Sequence, residues 1–168
     1  MTISMYQTVV PVTVRALDNL AHVLQKGAAH AALKSVTDQT LLQTRLIPDM
    51  LPLVRQVQIA TDMAKNGVAR LAGVEPMKFD DNETTLDELQ ARIARAVEYI
   101  KTFAPAQIDG SETRAISLTT RNGELHFHGQ SYLLDFVLPN VFFHCTTAYN
   151  ILREAGADLG KQDFIGKV

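Results

Sequence analysis

The sequence predicts an all-α protein, a bundle of four long helices with a small β-hairpin between the third and the fourth. Two observations predict this class. Apolar residues recur at helical spacing along four stretches, and in one stretch between the last two of these, apolar and polar residues alternate instead. The chain has 168 residues, which suits a single domain spanning 1–168 with a sizeable core. A hydrophobic content of 46% and a charged content of 20% indicate a globular protein and not a disordered one.

The first two helices are predicted in the first half of the chain. Apolar residues recur at helical spacing over 5–26, and Gly27 follows as a stop signal. The stretch 28–46 is rich in Ala and Leu and then polar, and its structure stays open. The second helix is predicted over 49–73, with Pro52 in its first turn, where the missing N–H costs nothing.

The third helix has the strongest start signal, after a loop predicted over 74–84. Thr85 and Glu88 match a capping box, a hydroxyl at the cap with a carboxylate three residues on. Pro105 marks the end. The apolar stripe consists of Leu86, Leu89, Ile93, Val97, Ile100 and Phe103. The charged residues expected on the other faces are Arg92, Arg95, Glu98 and Lys101.

The hairpin is predicted from a change of period. Apolar residues alternate over 116–120 and again over 125–127, and Asn122-Gly123 stands between the two runs. Both turn residues tolerate a positive φ, so this dipeptide favours a two-residue type I′ turn. Because two strands alone are marginally stable, we expect the hairpin to lie on the helices.

The fourth helix, predicted over 130–154, carries two polar residues in its buried stripe. Asn140 and His144 are four residues apart, so they share one face. We favour a buried pair bonded to backbone or to each other, and a ligand site is the alternative. The tail, 157–168, is expected to be too short for another helix and to be held by Phe164 and Ile165. The stripe consists of Leu133, Val137, Asn140, His144, Ala148 and Ile151.

Pro139 gives Asn140 a structural explanation. A proline inside a helix cannot donate to the carbonyl one turn before it, here that of Asp135. Asn140 or a water could satisfy this carbonyl. The kink could also open a pocket, and the sequence leaves both interpretations open.

Other polar residues are weaker candidates. Gln58 and Asp62 are four residues apart on the second helix, and Asp62 is a metal ligand, a partner of Arg55 or, the interpretation we favour, a solvated acid. His126 and His128 point to one face of a strand, where a polar outer face is favoured over a shared metal. We expect two further histidines, His22 and His30, to lie on the surface without partners.

Several function classes are disfavoured. The single cysteine, Cys145, excludes a disulfide framework, and it points about 100° away from His144, so we expect a small core residue and not half of a nucleophilic pair. A formal charge of −2 disfavours nucleic-acid binding. No stretch has the pattern of a signal peptide or of a membrane span, so we expect a cytoplasmic protein with no membrane partner.

Several segments resemble a known family. They are 129–133, 138–153 with its Leu-Pro-Asn and His-x-Thr-Thr-Ala-Tyr strings, 160–164, 48–50 and 55–58. Together they are similar to the bacterial domain-of-unknown-function family numbered nineteen ninety-three, over nearly the whole chain. That family has no assigned activity to transfer.

The resemblance implies the fold of the wider DinB/YfiT-like superfamily of four-helix bundles, whose members with known chemistry are thiol transferases or hydrolases that use a divalent metal. Their pattern is one His on helix two and His-x-x-x-His on helix four, followed by Leu-Leu-Arg-x-x-Gly. The run 151–156 matches that ending, and His144 matches the second His of the pair. Asn140 stands in place of the first, and Gln58 is the nearest match on helix two.

These features leave three hypotheses. We favour a small-molecule-binding or non-catalytic bundle with a degenerate metal site, in which His144 faces the interior near Asn140, Gln58 and Tyr149. The alternative is a transferase or hydrolase that uses a divalent metal, zinc or nickel, at a rearranged site of His144, Asn140 and a donor such as Asp62 or His126. The third is an interaction protein that forms a homodimer through a bundle face.

Overall fold

A computed structural model of the chain describes residues 3–120 and 123–167. These residues are mainly helical with a two-stranded antiparallel hairpin, so the predicted fold class is confirmed in outline. The elements in chain order are α1 (Met5–Leu33), α2 (Asp38–Gln43), α3 (Leu53–Leu71), α4 (Leu86–Lys101), α5 (Pro105–Ile108), β1 (Ala115–Thr120), β2 (Gly123–His128), α6 (Gly129–Ser131), a π-helical segment (Tyr132–Val137), α7 (Leu138–Glu154) and α8 (Lys161–Ile165).

The long helices α1, α3, α4 and α7 surround the core. Helix α1 packs against α4 and α7, and α3 packs against the same two, so α1 and α3 lie at opposite corners. The apolar stripes predicted for these helices meet in the centre, and each contributes several side chains without solvent contact. In the described part of the chain, no helix is both long and apolar enough to cross a membrane.

Helix α1 is longer than predicted, because Gly27 does not end it. A Cβ at Gly27 would lie 2.6 Å from Cδ2 of Leu152, so the glycine allows α7 to approach closely. Glycine here serves packing between two helices, and α1 continues to Leu33. Pro11 lies inside the same helix.

The start of α4 is confirmed in detail. The backbone N–H of Glu88 donates to Thr85 Oγ1 at 3.2 Å, and the N–H of Thr85 donates to Glu88 Oε2 at 3.0 Å. Bonds from Thr84 and Thr85 lower the pKa of the Glu88 carboxyl. The segment 74–84 before it has no regular secondary structure, as predicted.

The hairpin pairs Ile116 with Phe127 and Leu118 with Leu125 across β1 and β2. The side chains of Ile116 and Leu118 are buried, so this face covers the bundle. Gly123 has a φ of 118°, in the region that favours glycine.

Two predicted features near the hairpin and the tail have different outcomes. Asn122, the other residue of the predicted turn, lies outside the described residues. The expectation that the tail holds no helix is wrong, because Lys161–Ile165 forms the short helix α8. Its start is stabilised by Asp163, whose carboxylate accepts the N–H of Gly160 at 2.7 Å.

Candidate functional site

His144 faces the bundle interior, as its position in the stripe predicts. Its side chain is 9% exposed, and Nδ1 lies 2.7 Å from Oε1 of Gln56 on α3. The amide nitrogen of Gln56 donates to the carbonyl of Leu51 at 2.9 Å. This second bond orients the amide, so its oxygen accepts and Nδ1 of His144 carries the proton.

The cross-helix partner of His144 is therefore Gln56, and the expectation of Gln58 is wrong. Helical spacing could have found it, because Gln56 follows Leu53 by three residues and precedes Ala60 by four, and both are apolar residues that are buried. Burial places the amide where it can reach across to α7; the exposed fraction of Gln56 is 1%.

The second ring nitrogen of His144 has no partner among the described residues. Among the described residues, Ser111 Oγ is the one fully buried side-chain polar atom without a hydrogen bond. Since Nε2 of His144 has no hydrogen bond either, it is not fully buried and keeps some contact with solvent. Burial lowers the pKa of the His144 imidazole, which is therefore neutral at neutral pH.

Asn140 satisfies the backbone. Its Nδ2 donates to the carbonyl of Phe136 at 2.7 Å, one residue after the carbonyl expected from Pro139. The segment before Pro139, Tyr132–Val137, is π-helical. This wider turn accommodates the proline, so the helix continues and does not end there. The side-chain nitrogen of Asn140 is thus used within its own helix, which supports the structural interpretation.

Gln58 and Asp62 belong to a different cluster, centred on Arg92 of α4. The guanidinium of Arg92 is fully buried, and it bonds Asp62 at 3.0 Å, Asp81 at 3.0 Å and Glu83 at 2.9 Å. Gln58 joins this cluster by donating to Glu83 at 2.8 Å. We call these five residues the Arg92 cluster.

Two predictions about this cluster are wrong. Its charge predicts an outer face for Arg92, yet Arg92 follows Leu89 by three residues, a spacing that puts it on the buried side. The sequence predicts that Asp62 is a ligand, a partner of Arg55 or a solvated acid. It pairs instead with Arg92 and with the buried Lys65, whose Nζ lies 3.2 Å away, and it is 30% exposed.

Tyr149 also lies apart from His144. Its ring meets Phe164 of α8 edge-on, with 5.9 Å between centroids. The exposed His126 and His128 lie on the outer face of β2, as predicted, and His126 Nδ1 is 3.0 Å from Ser117 Oγ.

These positions do not fit a zinc or nickel site. In residues 3–120 and 123–167, no three His, Cys, Asp or Glu side chains come together in a way that could hold a metal ion. Asp62 pairs with Arg92 in its own cluster, whereas His144 Nδ1 lies against Gln56 and Asn140 Nδ2 donates to the carbonyl of Phe136. The donor set of the superfamily is therefore absent from this part of the fold.

The opposite side of α7 lines an apolar cavity of about 250 Å³ between α1, α7 and α8. The sequence contains no signal that predicts this cavity, because most of its lining residues are ordinary apolar ones. Arg15 and Phe142 are the exposed residues of the lining, so the mouth of the cavity lies beside them. The lining side chains are Val12, Arg15, Ala16, Asn19, Leu20, Val23, Phe142, Cys145, Phe164 and Ile165.

Helix α8 forms one wall and is held by polar bonds from α1. Asn19 Nδ2 donates to the carbonyls of Phe164 at 3.0 Å and Ile165 at 2.8 Å. His22, expected to have no partner, lies with Nε2 2.9 Å from Asp163 Oδ1, and Lys26 Nζ lies 3.1 Å from the same oxygen. The Gly160 N–H and these two side chains hold the pKa of Asp163 below its usual range.

The class of protein follows from a comparison of this fold with solved structures: this is a DinB-like helical protein. A crystal structure of a DinB family member protein from Shewanella denitrificans is 39% identical to the chain, with a TM-score of 0.88. The match covers 97% of this chain and 92% of that one.

More specifically, the chain belongs to the family described as Domain of unknown function (DUF1993), whose model matches residues 5–165. The resemblance inferred from the sequence is thereby confirmed. None of the curated proteins matches the chain.

Proposed function

We propose that this DinB-like protein binds a small, largely apolar molecule in the cavity between α1, α7 and α8, without a metal and without catalysis. The observation that carries the proposal is the cavity itself. Ligand sites in helical bundles lie between helices and are mainly apolar, with few polar groups. An apolar cavity of about 150 Å³ is known to hold benzene, so one of about 250 Å³ has room for a two-ring aromatic or a body of roughly ten carbon atoms.

The lining supports binding rather than chemistry. The described residues that line it include neither a carboxylate nor an imidazole, the usual general bases. Cys145 is the one nucleophile among these described residues, and burial raises the pKa of its thiol to about 12. At neutral pH the thiolate, which is the reactive form, is scarce.

The alternative, a metal-dependent transferase or hydrolase around His144, has less support. Its predicted donors are not grouped, because Asp62 pairs with Arg92 and Asn140 donates to the carbonyl of Phe136. Zinc or nickel present in equal amount to the purified, untagged protein would favour this alternative.

The proposal is tested with 2-naphthalenemethanol, an uncharged probe whose ring system matches the cavity in size. We expect saturable binding by calorimetry to the unmodified protein. Ala16→Phe places a ring inside the cavity, so we expect its affinity for the probe to fall at least about tenfold.

The matched control is Ala94→Phe, which adds the same ring on the exposed surface of α4. It should bind the probe like the unmodified protein. Absence of saturable binding, or equal binding by Ala16→Phe in a sample with native circular dichroism, would refute the proposal.

A further inference from the structure

We propose that the molecule held in this cavity is an apolar carboxylic acid, with its apolar body inside and its carboxylate beside Arg15 at the mouth. This inference rests on the proposed function and adds the class of ligand. Among the described residues, Arg15 is the one charged side chain that lines the cavity, and it is exposed, so it can meet a charged group without the desolvation that a buried ion requires.

The hydrogen bonds of Arg15 leave part of its guanidinium unused. Nε and Nη2 donate to the carbonyl of Ile165 at 3.3 and 3.1 Å, and Nη2 donates to that of Lys167 at 3.3 Å. Within residues 3–120 and 123–167, Nη1 has no acceptor and no carboxylate forms an ion pair with Arg15. Because those bonds fix the plane of the guanidinium, Nη1 is a preoriented donor, and no carboxylate of the described residues neutralises the guanidinium.

A polar groove next to the mouth adds a second cation. It shares Asn19 with the cavity and is lined also by Lys167, His22 and Asp163. Asp163 already accepts from His22 and from Lys26. The acid is therefore compensated, while Arg15 and Lys167 are left to attract an anion.

A carboxylic acid matches this arrangement better than a neutral or a cationic molecule. Charge-assisted bonds from a guanidinium to a carboxylate are stronger than neutral ones, and the apolar body gains by leaving water. A cation would face Arg15 and Lys167, and a fully apolar molecule would leave Nη1 solvated and unused.

The test compares two ligands with the same ring system, 2-naphthoate and 2-naphthalenemethanol, by calorimetry at pH 7.5 and low salt. We expect the unmodified protein to bind the acid up to about fivefold more tightly than the alcohol, which is the upper end of the range for an exposed ion pair. In Arg15→Gln that ratio should fall to about one or below, and in Arg15→Lys it should remain above one. High salt should reduce the ratio in the unmodified protein.

The ratio is informative even if Arg15→Gln loosens α8, because both ligands then experience the same loss. Arg153→Gln is the matched control: it removes an exposed arginine of α7 that does not line the cavity, and it should keep the ratio. If both ligands bind equally well to the unmodified protein, the assignment of an acid is overturned while the binding function stands. If neither binds, both proposals fail.

Discussion

The two sides of α7 differ in how they use their side chains. The side that faces α3 presents Nδ1 of His144 to Gln56, and α3 also carries Gln58 and Asp62 of the Arg92 cluster. The side that faces α1 presents Cys145 to a cavity of about 250 Å³ with mainly apolar walls. The polar residues on the first side thus make most of their bonds within the protein, and the free space lies among mainly apolar residues.

This difference has a physical origin. A polar group in a buried stripe must be paired, since an unpaired one costs about 1–3 kcal/mol, so such groups tend to meet one another. Apolar side chains have no such requirement. A gap between Ala16, Val12 and Phe142 costs only lost packing, and a ligand can recover it.

The largest test of the comparison is on the polar side, at Arg92. Arg92→Met removes a fully buried cation and leaves Glu83, Asp62 and Asp81 without their common partner. Loss of one partner from a buried ionic group typically costs about 3–5 kcal/mol, and we expect about 3 kcal/mol here because two of the acids keep solvent contact. Urea unfolding followed by circular dichroism measures it.

Lys101→Met, at the exposed end of α4, is the control for removing a cation and should change the free energy of unfolding by less than about 0.5 kcal/mol. Equal stability of the two variants would mean that the Arg92 cluster is not what fixes the segment 74–84 to α3 and α4.

The next effect is expected at Gln56. Gln56→Leu leaves Nδ1–H of His144 and the carbonyl of Leu51 without their partner, and we expect a loss of about 1–3 kcal/mol. Gln25→Leu makes the same change on the exposed surface of α1 and should be nearly neutral. An unchanged unfolding midpoint for Gln56→Leu would show that water replaces the amide, and the polar side would then be less closed than described.

Helical spacing was enough to predict much of this. It placed His144 inward, and Thr85 with Glu88 identified the start of α4. The same spacing also places Arg92 and Gln56 on buried faces, but polar side chains favour a prediction of surface positions. The acids that neutralise Arg92 come partly from a loop with no periodic pattern.

The cavity could not be predicted in this way. Its size depends on how closely α1, α7 and α8 approach, and approach is set by contacts such as Gly27 against Leu152 that pair residues 125 positions apart in the chain. The hydrogen bonds that hold α8 in place start from Asn19 and end on backbone carbonyls, which have no sequence signature.

The smallest effect is a pH dependence that comes from His144. Burial lowers the pKa of its imidazole in the folded protein below the ordinary value of 6.5, so the unfolded chain takes up the proton first as the pH falls. Well above pH 6.5 both states are neutral and stability does not depend on this group. From pH 6.5 downward the free energy of unfolding should decrease, until the folded-state imidazole is protonated too. Carboxylates with lowered pKa values, such as Asp163, act only at lower pH.

The measurement is the free energy of unfolding at pH 7.5 and 5.5 for the unmodified protein and for His144→Gln, which can still donate to Gln56 without titrating in this range. We expect the unmodified protein to lose more stability between the two pH values than the variant does. His126→Gln, on the exposed outer face of β2, controls for the loss of any histidine. Parallel losses in all three proteins would mean that water reaches the ring freely, and then His144 would belong with the open side of α7 instead of the closed one.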